Sequence, residues 1–233
     1  MKYKRILLKL SGETLGGPKG VGLDQPSMEK FAMQIASVAR KGVQVAVVIG
    51  GGNIFRGLSG SQKGFDRVRG DQMGMLATVI NSVGMSLMIK DCGVPAAAFA
   101  PFALPMARYY DRDAVLEFME SGGVALLSGG TGNPFFTTDS GAALRACELG
   151  CDAILKGTKV DGVYDSDPAK NPDAKKYDTV SFDKALADEL HVMDMTAFAL
   201  CRENNMPIVV FNINEEGMLE QIVDGGGVCT LVK

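Results

Sequence analysis

Four short apolar segments of this 233-residue chain run directly into glycine. The glycines follow as Ser11-Gly12, as Gly50-Gly51-Gly52-Asn53, as Gly129-Gly130-Thr131-Gly132-Asn133 and as Gly157-Thr158. Glycine lets backbone N–H groups approach an anion closely, and the first turn of a following helix adds a positive dipole. Because glycine also ends strands without any ligand, one such loop would be weak support. Four of them favour an anion-binding edge.

The charged residues beside these glycines indicate which chemistry the edge could support. Lys9 lies in an otherwise apolar segment, where a lysine is costly unless it meets an anion. Arg56 follows the triple glycine, and Asp71 lies near the start of the next long helical segment. Asp139 and Asp194 each stand at a predicted helix start. N-capping is an alternative role for both of these carboxylates.

The missing motifs exclude several reaction classes. Neither GxxxxGK[ST] nor GxGxxG occurs, so a P-loop or a dinucleotide-binding Rossmann site has no support. The single histidine, His191, lies in a polar turn, which makes a Ser-His-Asp hydrolase improbable. Phosphoryl transfer to an acceptor that is already an anion needs no such base, only positioning, cations and Mg²⁺. The sequence therefore predicts a kinase whose acceptor is acidic.

The segments that must position these residues alternate between strand and helix patterns. Strands are predicted at Arg5–Leu10, Val43–Ile49, Ala96–Ala100, Val124–Ser128, Ala153–Lys156, Ile208–Asn212 and Cys229–Val232. Helices are predicted at Ser27–Arg40, Arg67–Asp91, Arg112–Glu120, Asp139–Leu149, Asp183–Leu190, Asp194–Asn204 and Glu215–Val223. This order predicts an α/β fold, a three-layer α/β/α sandwich around a mostly parallel sheet. Since no linker divides the chain, residues 1–233 are expected to form a single domain.

Composition excludes further classes of protein. The 24 Lys+Arg and 27 Asp+Glu give a net charge of -3, which argues against a nucleic-acid partner. We expect no signal peptide and no membrane partner, because no apolar window reaches the length of a membrane span. The five cysteines contain no CxxC pair and are interpreted as reduced thiols in a cytoplasmic protein. The polar segment Asp161–Asp178 is either a functional ordered loop or a solvated excursion.

Six strings closely resemble bacterial uridylate (UMP) kinases of the amino acid kinase superfamily. They are KLSGE, VIGGGNIFRG, GDQMGMLATV, GTGNPFFTTD, KVDGVYDSDP and VMD followed by TAF, and the match as a whole runs from Tyr3 to Val232. KLSG and GGGN occur across the superfamily, whereas GDQMGMLAT together with GTGNPFFTTD is specific to the uridylate branch. The resemblance implies an amino acid kinase-like fold and reversible transfer of the ATP γ-phosphoryl group to UMP, within pyrimidine nucleotide (CTP) biosynthesis.

The resemblance also assigns roles to individual residues. ATP would be held by Lys9, Leu10, Ser11, Gly12, Gly52, Arg56, Thr158, Tyr164 and Asp167. UMP would be held by Gly51, Asp71, Thr131, Gly132, Asn133, Pro134, Phe135, Phe136, Thr137 and Thr138. The catalytic set would be Lys9, Arg56, Asp139 and Asp194, with Asp194 orienting Lys9 and Asp139 beside the phosphates. No residue is assigned as a metal ligand, because Mg²⁺ is expected to bind mainly to phosphates and water.

Members of this branch are typically homohexamers that GTP activates and UTP inhibits. The apolar segment Arg67–Asp91 suits an oligomer interface, although core packing explains it equally well. UTP inhibition is expected here, but GTP activation is doubtful because Ser86 and Lys90 stand where activated relatives carry arginines. Two alternatives stay open at this point. One is a superfamily member with a carboxylate or carbamate acceptor, and the other is a nucleotide-binding sensor without turnover.

Overall fold

A nine-stranded sheet forms the centre of the protein. In the computed structural model the chain is described over residues 1–55, 66–190 and 192–233. The strand order is β4-β3-β5-β2-β1-β6-β10-β11-β9, and all neighbouring pairs are parallel except β10 and β11. The strands are β1 Arg5–Leu10, β2 Gln44–Ile49, β3 Ala96–Ala100, β4 Arg108–Tyr109, β5 Val124–Leu127, β6 Ala153–Thr158, β9 Thr179–Val180, β10 Ile208–Asn212 and β11 Cys229–Val232. A separate antiparallel pair is formed by β7 Val163–Tyr164 and β8 Lys176–Tyr177.

Eight α-helices are found in the described part of the chain. They are α1 Gly12–Leu15, α2 Gln25–Arg40, α3 Arg67–Asp91, α4 Arg112–Glu120, α5 Thr138–Glu148, α6 Phe182–Ala187, α7 Met195–Glu203 and α8 Met218–Asp224. The predicted bounds are confirmed for α3 and α4 and shift by one to three residues elsewhere. Capping explains two of these shifts. Asp24 accepts a hydrogen bond from Ser27 N, so α2 starts before Ser27, and Gly217 in the left-handed region delays the start of α8.

Apolar side chains cover both faces of the sheet. Alternate residues of β1 point to opposite sides, with Leu8 in one core cluster and Leu7 in the other. Helices α2, α3 and α8 pack over the first cluster, and α4 to α7 pack over the second. The prediction of a three-layer α/β/α sandwich around a mostly parallel sheet is therefore confirmed.

Helix α3 differs from one expectation drawn from the sequence. Its 25 residues include an 18-residue window with a mean hydropathy of 1.4, long and apolar enough to cross a membrane. The expectation that no window comes near this limit is wrong. Of that window, 44% is buried inside the protein, and Met85 and Ile89 lie in the core beneath it. These are the contacts of a helix packed on a sheet.

The four glycine-bearing loops converge as the parallel arrangement predicts. Strands β5, β2, β1 and β6 are consecutive neighbours in the sheet, and each pair is parallel. Their carboxyl ends therefore lie side by side at one edge. Gly157 is part of β6 rather than of a loop, because β6 continues to Thr158.

Candidate active site

Two lysines and one carboxylate form a cluster at this edge. Lys9 in β1 and Lys156 in β6 are register partners, so their side chains lie next to each other on the same face of the sheet. Lys9 Nζ lies 2.6 Å from Oδ1 of Asp139, and Lys156 Nζ donates to Oδ2 of Asp139 at 3.0 Å. Lys156 Nζ also donates to the carbonyl oxygen of Val192. The carboxylate of Asp139 is thus shared between two ammonium groups.

Burial makes the charges of this cluster interact strongly. The exposed fraction of the three side chains is only 13 to 16%. Burial alone would raise the pKa of Asp139, but the charges of Lys9 and Lys156 outweigh it and hold that pKa below its usual value. Burial lowers the pKa of Lys156, and the charge of Asp139 only partly offsets this. The three side chains together carry a net charge of +1, and the charge of Asp194 also acts on Lys156 and favours its charged form.

Asp139 reaches the cluster from inside helix α5. The N-cap of α5 is Thr137, whose hydroxyl oxygen accepts from Asp139 N and Ser140 N. The alternative role of Asp139 as an N-cap is therefore wrong. Its carboxylate is free to point toward the sheet because a neighbouring side chain satisfies the helix start.

Asp194 has the alternative role that the sequence offered. It is the N-cap of α7, where Oδ1 accepts from Ala197 N at 3.0 Å. Its carboxylate also accepts hydrogen bonds from the hydroxyl groups of Thr137 and Ser140 on α5. The ion pair of Lys9 is with Asp139, so a role of Asp194 in orienting Lys9 stays a prediction. In the described contacts Asp194 ties the start of α5 to the start of α7.

The first two glycine loops pack against each other. Gly50 N donates to the carbonyl oxygen of Leu10 at 3.0 Å, and Ser11 caps the short helix α1. A Cβ on Gly12 would lie 2.3 Å from Gly50 O and 2.4 Å from Asn53 Oδ1. Only glycine at position 12 therefore allows this close approach of the two loops.

A buried pair of amides holds the triple-glycine loop against helix α3. Asn53 and Asn81 exchange two hydrogen bonds of 2.8 and 2.9 Å. Asn81 also donates to Gly50 O at 2.7 Å, and Asn53 donates to Gly22 O at 2.7 Å. Both amides are almost completely buried. They fix the backbone of the loop, whose N–H groups are the candidate phosphate ligands.

A cavity of about 490 Å³ opens on the β5 side of the cluster. Seven of the residues predicted to bind UMP line it: Gly51, Asp71, Thr131, Asn133, Phe136, Thr137 and Thr138. Gly52, predicted to bind ATP, lines it as well. Gly132, Pro134 and Phe135 lie on the same loop but do not line the cavity. We call this space the acceptor cavity.

Asp71 shapes this loop from helix α3. Its Oδ2 accepts from the backbone N of Phe135 at 2.7 Å and from Arg67 Nε at 2.8 Å. The guanidinium group of Arg67 lies over the ring of Phe135, 5.4 Å from its centroid. Phe135 has a φ of 71°, an uncommon value for a residue with a side chain. The carboxylate of Asp71 stabilises that conformation.

A second cavity, of about 510 Å³, opens on the β6 and β10 side of the cluster. Thr158, Tyr164 and Asp167, the residues predicted to hold adenosine, all line it. The polar segment after Asp161 is held in place there by the β7–β8 pair and by a hydrogen bond from the Tyr164 hydroxyl to Asp161. Lys156 lines this cavity too. We call it the donor cavity.

Two expectations remain, one for Arg56 and one for Mg²⁺. Arg56, predicted to clamp phosphates, lies outside the described residues, as does His191. Within the described residues, no group of three or more acidic, cysteine or histidine side chains could form a metal cage. Both oxygens of Asp139 already face lysines. This donor set fits a Mg²⁺ ion that is held mainly by phosphates and water, and it does not fit a resident metal.

The sequence analysis missed three residues that shape the site. Lys156 carries the same signal as Lys9, a lysine in an apolar strand that ends in glycine, and could have been found by that rule. Asn81 is a buried amide among apolar neighbours of α3. Thr78 Oγ1 accepts from Gly129 N at 2.8 Å and joins α3 to the third glycine loop. Neither Asn81 nor Thr78 shows a distinctive pattern in the sequence.

Chemically, the arrangement is a positive cluster between two cavities of nucleotide size. Thr138 lines the acceptor cavity and directly precedes Asp139, and Lys156 lines the donor cavity and bonds to Asp139. Lys9 lines neither cavity, but it pairs with the same carboxylate of Asp139. Positive charge beside two such cavities suits the transfer of an anionic group.

Comparison with known proteins agrees with this geometry. The model of the amino acid kinase family matches residues 4–212. The chain is 51% identical to the uridylate kinase of Bacteroides thetaiotaomicron over 99% of its own length and 98% of that protein. Its structure is similar to those of UMP kinases from Bacillus anthracis and Ureaplasma parvum, with TM-scores of 0.96 and 0.94 at 36% identity. All of this chain is covered in both comparisons, with 97% and 100% of the two solved chains. The chain belongs to the amino acid kinase family, within its uridylate kinases.

Proposed function

We propose that this chain transfers the γ-phosphoryl group of ATP to UMP and forms ADP and UDP. The main support for this proposal is the Lys9–Asp139–Lys156 cluster between the acceptor and donor cavities. The uridylate kinase name of relatives at about 50% identity supports UMP as the acceptor. The bond from the γ-phosphorus to the β,γ-bridging oxygen breaks as a UMP phosphate oxygen attacks, and ADP leaves with that bridging oxygen.

The acceptor needs no general base. A nucleoside monophosphate is largely a dianion at neutral pH, because its second pKa is about 6. The barrier instead comes from bringing two anionic phosphates together and from the charge on the transferring group. Lys9 supplies a cation at the point of transfer, and Asp139 holds Lys9 there. The amides of Gly51 and Gly52 would contact the two phosphates from the triple-glycine loop.

The acceptor cavity offers polar groups suited to a pyrimidine nucleotide. Hydroxyl and amide groups of Thr131, Asn133 and Thr138 line one side, and the Phe136 ring provides an apolar wall. Asp71 would contact the nucleotide from α3 while it holds the loop at Phe135 N. Uracil presents both donors and acceptors at its edge, and such edges are read by hydrogen bonds of this kind.

The donor cavity would hold the adenosine of ATP. Thr158, Tyr164 and Asp167 line it, and the KLSG segment at the end of β1 would contact the phosphates. When bound with ATP, Mg²⁺ would neutralise charge on the phosphate oxygens. Lys9 provides the protein's own positive charge beside it.

The test is an ADP-release assay with UMP, CMP, dTMP, AMP, aspartate, glutamate and carbamate as acceptors. Turnover with UMP and little with the others is the expected result. Turnover with an amino acid or carbamate would point to a different acceptor class in the same family. ATP binding without ADP release would point to a sensor.

We also propose a homohexameric assembly built partly on helix α3. The solvent side of α3 carries a line of apolar residues at helical spacing, with Leu76, Ile80 and Leu87 each about half exposed. Such a stripe fits a second copy of this chain, with the α3 helices of the two copies packed against each other. Light scattering after size exclusion should give a hexamer, and Ile80→Glu should shift it to smaller species with the fold retained. A wild-type monomer would contradict the proposal.

Regulation and location follow from the same function. UTP resembles the product UDP, so we propose that it inhibits by occupying the acceptor cavity. GTP activation is expected to be weak. A third cavity lies beside Ser86 and Lys90 on α3, and among the described residues that line it only Lys90 and Arg108 are cations. Two cations are few for the three phosphates of GTP. A several-fold activation by GTP at subsaturating ATP would contradict this.

A cytoplasmic location and a role in pyrimidine nucleotide supply accompany the proposed activity.

A further inference from the structure

Lys156 is the one member of the buried cluster to which the proposed function gives no task. It lies in β6 beside Lys9, with a side chain only 16% exposed. Burial of an ammonium group is costly unless it is paired and hydrogen-bonded. Asp139 Oδ2 and the Val192 carbonyl oxygen provide those partners. The same carboxylate is also the ion-pair partner of Lys9, so a second cation is not needed to neutralise Asp139.

The two lysines contact different oxygens of one carboxylate. Lys156 donates a hydrogen bond to Oδ2 at 3.0 Å, whereas Lys9 Nζ lies 2.6 Å from Oδ1. A carboxylate held at Oδ2 cannot turn both oxygens toward Lys9. Of the three N–H bonds of Lys9, only the one that faces Oδ1 is then engaged by Asp139, and the others are left for an incoming anion. Without Lys156, the carboxylate could chelate Lys9, and the net charge of the cluster would fall from positive to zero.

Lys156 also links this carboxylate to the donor side. It lines the donor cavity, and Val192, which accepts its second hydrogen bond, lines the same cavity. The wall of the donor cavity therefore fixes Lys156, Lys156 fixes Asp139, and Asp139 fixes Lys9.

We infer that Lys156 is a positioning residue for phosphoryl transfer, which acts through Asp139 to keep Lys9 directed at the transferred group. This inference rests on the proposed function. It requires that the loss of Lys156 lowers the rate of the chemical step and leaves the acceptor cavity intact.

The experiment compares Lys156→Met, Asp139→Asn and the double variant with the wild type. Lys156→Met should lower kcat by about 10- to 100-fold, the range for a group that orients a catalytic residue, with KM for UMP within about threefold. In the double variant the loss should be no larger than that of Asp139→Asn alone, because the two residues act as one unit. Lys156→Arg should recover part of kcat. The matched control is Lys41→Met, since Lys41 is also shared between two oxygens, of Glu220 and Asp224, but lies far from the site.

Three outcomes would overturn the inference. If kcat of Lys156→Met is unchanged, Lys156 has no role in the reaction. If the losses of the two single variants multiply in the double variant, Lys156 acts independently of Asp139. The third outcome is evidence that the role of Lys156 is structural. Such evidence would be a KM for UMP that rises in parallel with the loss of kcat, or thermal unfolding curves in which Lys156→Met and Lys156→Arg are both unfolded. A wild-type enzyme without UMP turnover would instead reject the proposed function itself.

Discussion

Replacing Lys9 by alanine should remove most of the catalytic rate while the protein keeps its fold and its acceptor cavity. Lys9 is largely buried, and its ammonium group lies beside Asp139 and Lys156 at the carboxyl edge of the sheet. Asp139 remains bonded to Lys156 in this variant, so no carboxylate is left unpaired in the interior. The usual reason for a variant of a buried ion pair to unfold is therefore absent.

The magnitude follows from the charge that is lost. A unit charge about 4 Å from an anionic oxygen contributes about 4 kcal/mol at an effective dielectric constant of about 20. Each factor of ten in rate corresponds to about 1.4 kcal/mol, so the full contribution is about 1000-fold in kcat. Because Lys156 stays in place and compensates in part, we expect a loss of about 100- to 1000-fold.

The assay is steady-state ADP release with ATP and UMP both saturating, together with calorimetric titration of UMP. The dissociation constant of UMP should change by less than about threefold, since Lys9 does not line the acceptor cavity. Lys41→Ala serves as the control for loss of an ion-paired lysine at the surface. A Lys9→Ala enzyme that keeps kcat within about fivefold of the wild type would refute the reasoning and remove Lys9 from the catalytic set.

Three further predictions test the surroundings of the cluster. Gly51→Ala should lower kcat/KM for UMP at least about tenfold, because its Cβ would lie 2.8 Å from a backbone oxygen of α3 and push the loop away, and wild-type kinetics would contradict this. Asn81→Ala should lower the free energy of unfolding by about 2–5 kcal/mol in urea titrations, since two buried polar groups lose their partner, and a loss below about 1 kcal/mol would count against the amide pair. The lowered pKa of Asp139 stabilises the fold above the unfolded-state pKa of about 4, and this stabilisation is lost as the pH falls through the lower folded-state pKa. The difference in Tm between wild type and Asp139→Asn should therefore narrow below about pH 4, and parallel curves would disprove the pairing.

The sequence predicted the regular elements well because their signals are local. Continuous apolar runs mark strands that are buried on both faces, and β1, β3, β10 and β11 have the predicted bounds. The short strands β4, β7, β8 and β9 have only two residues each, so no periodicity could reveal them. Their pairing depends on partners distant in the chain.

The convergence of the glycine loops could also be predicted, since it follows from parallel topology alone. The sequence could not predict which side chains meet at that edge. Asp139 and Asp194 both stand at helix starts in the sequence, and nothing local separates a carboxylate that caps a helix from one that points to the sheet. The structure separates them by two positions relative to the N-cap. Asp194 is the N-cap itself, whereas Asp139 lies two residues after its N-cap and faces the strands.

That difference places Asp194 on the acceptor side of the cluster. Its carboxylate accepts from the hydroxyls of Thr137 and Ser140, and Thr137 both caps α5 and lines the acceptor cavity. Asp194 therefore ties α7 to the acceptor loop and to the start of α5, the helix that carries Asp139. Lys156 connects the donor cavity to the same carboxylate of Asp139. Contacts from residues that line both cavities thus converge on Asp139, the ion-pair partner of Lys9.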